Sequence, residues 1–154
     1  MENDNDDNSV KRSEIIGKIK RNNIKFENLK LLVEYKCDVN AEDMNLWKPL
    51  IYICRNEHIK IEEEKKENIS DKLMVVKYLI ENKANVNGCD DELFSSLLRI
   101  LENGIVDLSV VNFLLDNGAD VNLCANGYWH ALHCVCSNEQ FVYFFFFFPL
   151  LFYA

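Results

Sequence analysis

The densest set of side chains able to do chemistry is His130-Ala131-Leu132-His133-Cys134-Val135-Cys136, which places four imidazole or thiol donors in seven residues. Zinc takes four Cys or His ligands at the corners of a tetrahedron, so a metal or thiol site at residues 130–136 is one reading. The spacing fits it poorly, because a helix through this segment points the four donors in different directions. His58 stands alone among charged residues and reads as a surface histidine. No Gly-rich phosphate loop and no nucleophile–base–acid constellation is recognisable. Catalytic residues, a metal, a cofactor and a small-molecule substrate are therefore not expected, and the chain is not expected to be an enzyme.

Binding is the better-supported chemistry. Trp47, Phe94 and Trp129 each stand one residue before Lys48, Ser95 and His130, and large aromatics are enriched in interface hot spots. Met44, Asn45, Asp91, Glu92 and Asn126 flank them, with Arg55 and Glu102 further along. Two outcomes are open for the aromatics: a column presented to a partner, or core beneath a neighbouring turn.

What positions these residues is an internal repeat. Leu32-Val33-Glu34-Tyr35-Lys36-Cys37-Asp38-Val39-Asn40, Leu79-Ile80-Glu81-Asn82-Lys83-Ala84-Asn85-Val86-Asn87 and Leu114-Leu115-Asp116-Asn117-Gly118-Ala119-Asp120-Val121-Asn122 share two adjacent aliphatics, a small residue and Asp/Asn-Val-Asn. A second set follows each final Asn at the same interval: Lys48-Pro49-Leu50-Ile51, Ser95-Ser96-Leu97-Leu98 and His130-Ala131-Leu132-His133. Repetition of this kind is the mark of stacked units. Helical stripes support it: Ile15, Ile16 and Ile19, then Ile24, Leu29, Leu32 and Val33, recur at three- and four-residue steps. Met74, Val75, Tyr78 and Leu79, and Val110, Val111, Phe113 and Leu114, do the same. Ser13 is a candidate N-cap, and Gly118 suits a left-handed helix ending.

These motifs resemble the ankyrin repeat, whose pattern runs roughly D-x-x-G-x-T-P-L-H-x-A, a second helix, then L-L-x-x-G-A-D-V-N. Gly118-Ala119-Asp120-Val121-Asn122 is the full ending, Pro49-Leu50 and Leu132-His133 each keep half of the opening tetrapeptide, and Gly104 stands between the paired helices. The resemblance implies an all-α solenoid of stacked antiparallel helix pairs with short turn or β-hairpin fingers. It implies protein–protein recognition through the concave, finger-bearing face, where Trp47, Phe94 and Trp129 would point. It also places His133 at the family histidine and Cys136 at a small core position equivalent to Cys54. The opening glycine is replaced by Leu46, Leu93 and Tyr128, and the opening threonine by Lys48, Ser95 and His130. Less regular turns and lower stability are the expectation. Cys89 and Cys124 occupy equivalent places in neighbouring units, roughly 8–10 Å apart by helix packing. That exceeds the ~7 Å Cα limit for a disulfide, so free thiols are expected.

The expected organisation is an acidic, disordered leader at 1–12 and a repeat domain at 13–140. Its units run 13–40, 41–87 with an insertion near 59–72, 88–122, and a partial one at 123–138. The insertion, rich in alternating charge, reads as a solvated helical extension or loop. A net charge of −8 argues against nucleic acid, and the basic stretch from Lys11 to Lys30 reads as solvated helix faces. The start lacks a secretory signal pattern, so an intracellular, cytoplasmic setting with reduced cysteines is expected. Residues 141–154 are apolar and Phe-rich, and the fourth unit stops where its second helix should begin. Three readings of that tail stand: translated T-rich sequence from a retained intron or shifted frame, a crude membrane anchor, or a segment buried against a partner. Fourteen residues are short of the ~20 that a span requires, so membrane contact, and with it a membrane-associated adaptor, would depend on this tail alone.

Overall fold

The structure, a computed structural model, describes residues 23–24, 26–56, 59–61 and 70–138. Helix α1 (Phe26–Glu34) is followed by α2 (Pro49–Arg55), α3 (Asp71–Glu81), α4 (Ser96–Glu102), α5 (Leu108–Asp116) and α6 (Ala131–Ser137). Strand β1 (Asn23–Ile24) pairs in parallel with β2 (Lys60–Ile61). Strands β3 (Cys124–Ala125) and β4 (Trp129–His130) form an antiparallel hairpin. The leader, Ser13, Ile15, Ile16, Ile19, His58 and the tail from residue 139 onward lie outside the described residues.

Two helix layers result. Helices α2, α4 and α6 stack side by side, while α3 packs on α2, α5 on α4, and α5 on α3. Each helix is too short to hold alone in water, and what holds it is the shared core. Leu50, Ile53 and Cys54 of α2, Val75, Val76 and Leu79 of α3, Leu98 and Ile100 of α4, and Val110 and Leu114 of α5 are all buried. Phe26 and Tyr78 extend this core toward α1, their rings meeting edge-on at 5.4 Å.

The repeated Leu-Leu ending has a direct physical basis. In each unit two backbone bonds close the helix: Lys36 N to Val33 O with Cys37 N to Leu32 O, Lys83 N to Ile80 O with Ala84 N to Leu79 O, and Gly118 N to Leu115 O with Ala119 N to Leu114 O. This is the Schellman arrangement, which requires one left-handed residue and a compact apolar one after it. The left-handed places are Lys36, Lys83 and Gly118, with φ of 64°, 72° and 84°. The following Asn then ties unit to unit. Asn40 Nδ2 donates to Lys83 O (2.9 Å) while its Oδ1 accepts from Asn85 N (2.7 Å). Asn87 repeats both bonds with Gly118 O (2.9 Å) and Asp120 N (2.8 Å).

Caps set the helix starts. Pro49 occupies the first turn of α2, Ser95 Oγ accepts from Leu98 N at the start of α4, and Ser70 Oγ accepts from Leu73 N at the start of α3. The Ser70 hydroxyl also donates to Asp107 Oδ2, and Asp107 caps α5. Ser70, Asp71 and Lys72 thus belong to α3 and its cap, and Ile59 is buried beside the β1–β2 pair.

Candidate functional site

The first two fingers between units are each built around one aspartate, and the third has Ala125 at that place. Asp43 Oδ1 accepts from Asn45 N (2.9 Å) and Trp47 N (3.1 Å), and its Oδ2 accepts from the Tyr52 hydroxyl. Asp90 repeats this with Glu92 N and Phe94 N, both at 3.0 Å, and takes Arg99 Nε at 2.8 Å on its other oxygen. These bonds hold Leu46 and Leu93 in the left-handed region at φ 56° and 61°, and Tyr128 matches them at 61°. The first two turns are therefore regular, contrary to the expectation from the missing glycine and threonine, whereas the third carries a second left-handed residue, Gly127 at φ 74°. The aspartate does the bracing, and the non-glycine residues bear the left-handed strain. Lys48, standing at the threonine place, reaches forward instead: its Nζ donates to Cys89 O (2.9 Å) and pairs with Glu42 (2.7 Å).

Successive fingers are stitched by backbone bonds, Asp91 N to Asn45 O (3.1 Å) and Asn126 N to Glu92 O (3.0 Å). Beneath them Arg99 joins units two and three. Its guanidinium lies 4.1 Å from the Phe94 ring centroid and 4.9 Å from that of Trp47. It pairs with Asp90, Glu92 and Glu102 at 2.6, 2.6 and 3.0 Å. Burial works to lower the Arg99 pKa, but the bonds to Glu92, Asp90 and Glu102 outweigh it and raise it. In return the Arg99 hydrogen bond and charge hold the Glu92 carboxyl below its ordinary value, with Arg55 adding a smaller push.

A cavity of about 290 Å³ opens between the two fingers, lined by Asn45, Trp47, Tyr52, Arg55, Asp91 and Glu92. Trp47 forms its floor, only 7% exposed, with Tyr52 at 4.8 Å between ring centroids and the Arg55 guanidinium at 4.7 Å over its ring. Arg55 and Asp91 are exposed at the rim. Of the aromatic column, Trp47 is thus mostly core, Phe94 is half-buried against Arg99, and Trp129 is exposed. Met44 is fully exposed beside the cavity residues in sequence, and Asn126 is exposed on the last finger. Glu102 is half-exposed and turned to Arg99. Asp43, Tyr52, Asp90 and Arg99 went unrecognised in the sequence, although the family pattern opens on the aspartate.

The solenoid of helix pairs and hairpin fingers is matched by comparison with known families: the model of ankyrin repeats, in three copies, matches residues 19–123. The chain belongs to the ankyrin-repeat family. Comparison with curated proteins gives no match. In this ankyrin array the 130–136 donors are turned to separate tasks. Cys134 is buried and its Sγ accepts from Trp129 Nε1 (3.0 Å), while His133 Nδ1 accepts from His130 N (3.1 Å). Cys136 is exposed, which corrects its placement in the core with Cys54. In units two and three that place is covered by the paired second helix, α3 or α5. Among the described residues, no three His, Cys, Asp or Glu side chains gather as a metal site. No described helix is long and apolar enough to cross a membrane.

Proposed function

We propose that this ankyrin array binds another protein through the groove between its first and second fingers. Ankyrin repeats are in general protein-interaction modules, and the finer reading rests on one observation. The cavity gathers Asn45, Trp47, Arg55, Asp91 and Glu92 from two separate fingers and one helix end around an aromatic floor. Arg99 shares its single charge among three carboxylates, so the rim carries an acidic excess despite Arg55. A partner segment that lays an apolar side chain over Trp47 and a basic one beside Asp91 and Glu92 fits that arrangement. The setting proposed is the cytoplasm, where the free thiols of all six cysteines stay reduced.

The test avoids Trp47, whose loss would disturb the core. Arg55→Glu and Asp91→Lys change exposed rim charges and are expected to leave the unfolding free energy within about 1 kcal/mol of the parent, the Arg55 contact with the Trp47 ring accounting for most of that. Quantitative capture with the full chain is expected to lose a defined set of proteins at least tenfold in both variants. Equal capture by parent and variants would remove the groove from the account.

A further inference from the structure

We infer that the finger tips form an apolar comb that seats one amphipathic helix of the partner, with an apolar residue at every seventh position and lysine or arginine along its flank. The inference rests on the groove reading and gives the partner its chemistry. What carries it is the residue at the left-handed place of each finger.

Leu46, Leu93 and Tyr128 hold φ of 56°, 61° and 61°. Glycine takes this conformation without steric cost, and asparagine or aspartate with little. All three fingers instead carry a large side chain there, 47%, 50% and 84% exposed. Each of these residues lowers stability twice, through its backbone and through apolar surface left in water. Strain kept in one register marks a surface held for use, since folding alone would favour its removal. Met44, fully exposed two residues before Leu46, adds adaptable apolar area at the first tip.

The tips stand at a fixed interval because backbone bonds join the fingers, Asp91 N to Asn45 O and Asn126 N to Glu92 O. Neighbouring tips follow the unit spacing of roughly 8–10 Å. An α-helix rises ~1.5 Å per residue, so residues seven apart lie ~10.5 Å apart on nearly one face, and three of them meet three tips. A β-strand covers that interval in about three residues, which point to opposite faces. A polyproline segment repeats every ~9 Å but docks between aromatic walls, whereas two of these tips are leucine. Charge completes the description. Segments 41–47, 88–95 and 123–129 contain no Lys or Arg, while Glu42, Asp91 and Glu92 are exposed beside the tips. Lys48 meets Glu42 and Arg99 meets Glu92 from beneath, and Asp91 stays exposed to a basic flank.

The experiment pans the full chain against a displayed library of random peptides about 20 residues long, enough for three apolar positions at helical seven-residue spacing. Enriched peptides are expected to share apolar residues at i, i+7 and i+14 with Lys or Arg beside them. A synthetic representative should gain helical circular dichroism on binding. Leu46→Gly, Leu93→Gly and Leu93→Asn should each weaken it at least tenfold while the urea midpoint holds or rises, and Leu93→Met should keep the affinity within about twofold. A falling midpoint in the glycine variants would remove the strain argument and the proposal with it. No enrichment, a three-residue repeat, an acidic consensus, binding indifferent to both glycine variants, or self-association of the chain that these variants abolish would each overturn it. Arg55→Glu separates the two readings. Cellular capture lost with Arg55→Glu but kept with Leu46→Gly and Leu93→Gly would overturn the comb and leave the groove standing, and capture kept in all three would remove both.

Discussion

Arg99→Leu tests the electrostatic keystone of the fingers. Asp90 is 0% and Arg99 3% exposed, and the leucine would leave the carboxylate buried without its partner. Breaking a buried pair in this one-sided way costs ~3–5 kcal/mol. Loss of the guanidinium from the Phe94 and Trp47 rings adds ~0.5–1 kcal/mol at each. The pairs to exposed Glu92 and Glu102 contribute little, ~0–1 kcal/mol together. The contributions sum to a loss of about 4–8 kcal/mol, a large share of the ~5–15 kcal/mol that holds a domain of this size. At a urea slope of ~1.5 kcal/mol/M, the midpoint falls by about 3–5 M. Circular dichroism in urea reads it. Adding Asp90→Asn should restore ~2 kcal/mol, because the amide oxygen still accepts from Glu92 N and Phe94 N without a stranded charge. A single variant costing under about 1 kcal/mol, or a double variant no better than the single, would refute the reasoning.

Other consequences can be measured independently. Leu93→Gly relieves a left-handed residue that is half exposed and should raise stability by about 0.5–1 kcal/mol after the added chain entropy of glycine; a loss measured in urea would contradict the strain assigned to the finger. Burial works to raise Asp107, but bonds from Ser109, Ser70 and the Val110 amide leave its pKa lowered, and Glu92 is lowered by Arg99. Both carboxyls therefore add stability above the ordinary carboxylate pKa of ~4, and that stability is lost as pH falls through their lower folded values. The urea midpoint should drop steeply below pH ~4, and less steeply in Asp107→Asn. Burial pushes the Cys54 thiol to about 12, whereas Cys136 is exposed. Mass spectrometry after alkylation at pH 8 should show Cys136 labelled first and Cys54 only on unfolding, and the reverse order would contradict the packing of α2.

The repeat endings were legible in the sequence because one backbone motif writes the same residues each time: two aliphatics, a left-handed place, a small residue, then the bridging asparagine. The openings were harder. Their glycine and threonine are gone, and the aspartate that replaces their bracing is an ordinary surface residue until the finger closes around it. The position of Tyr52, Arg99 and Cys134 hides its role for a related reason. A phenol, a guanidinium and a thiol each solve the same burial problem with a different partner. Most of the groove residues were recognisable from their place on the fingers. How deeply Trp47 sits was not, because part of its cover comes from Arg99, fifty-two residues later in the chain, in addition to the nearby Tyr52 and Arg55.

The most direct measurement of the central claim is photo-crosslinking from the groove in the full chain. A benzophenone side chain at Asp91 is compared with one at Asn112, which is exposed on α5 away from the fingers. The account predicts a discrete protein adduct from Asp91 alone, competed away by excess parent chain and not by the Arg55→Glu variant. Adducts of equal yield from Asn112, or competition as effective with Arg55→Glu as with the parent, would contradict it.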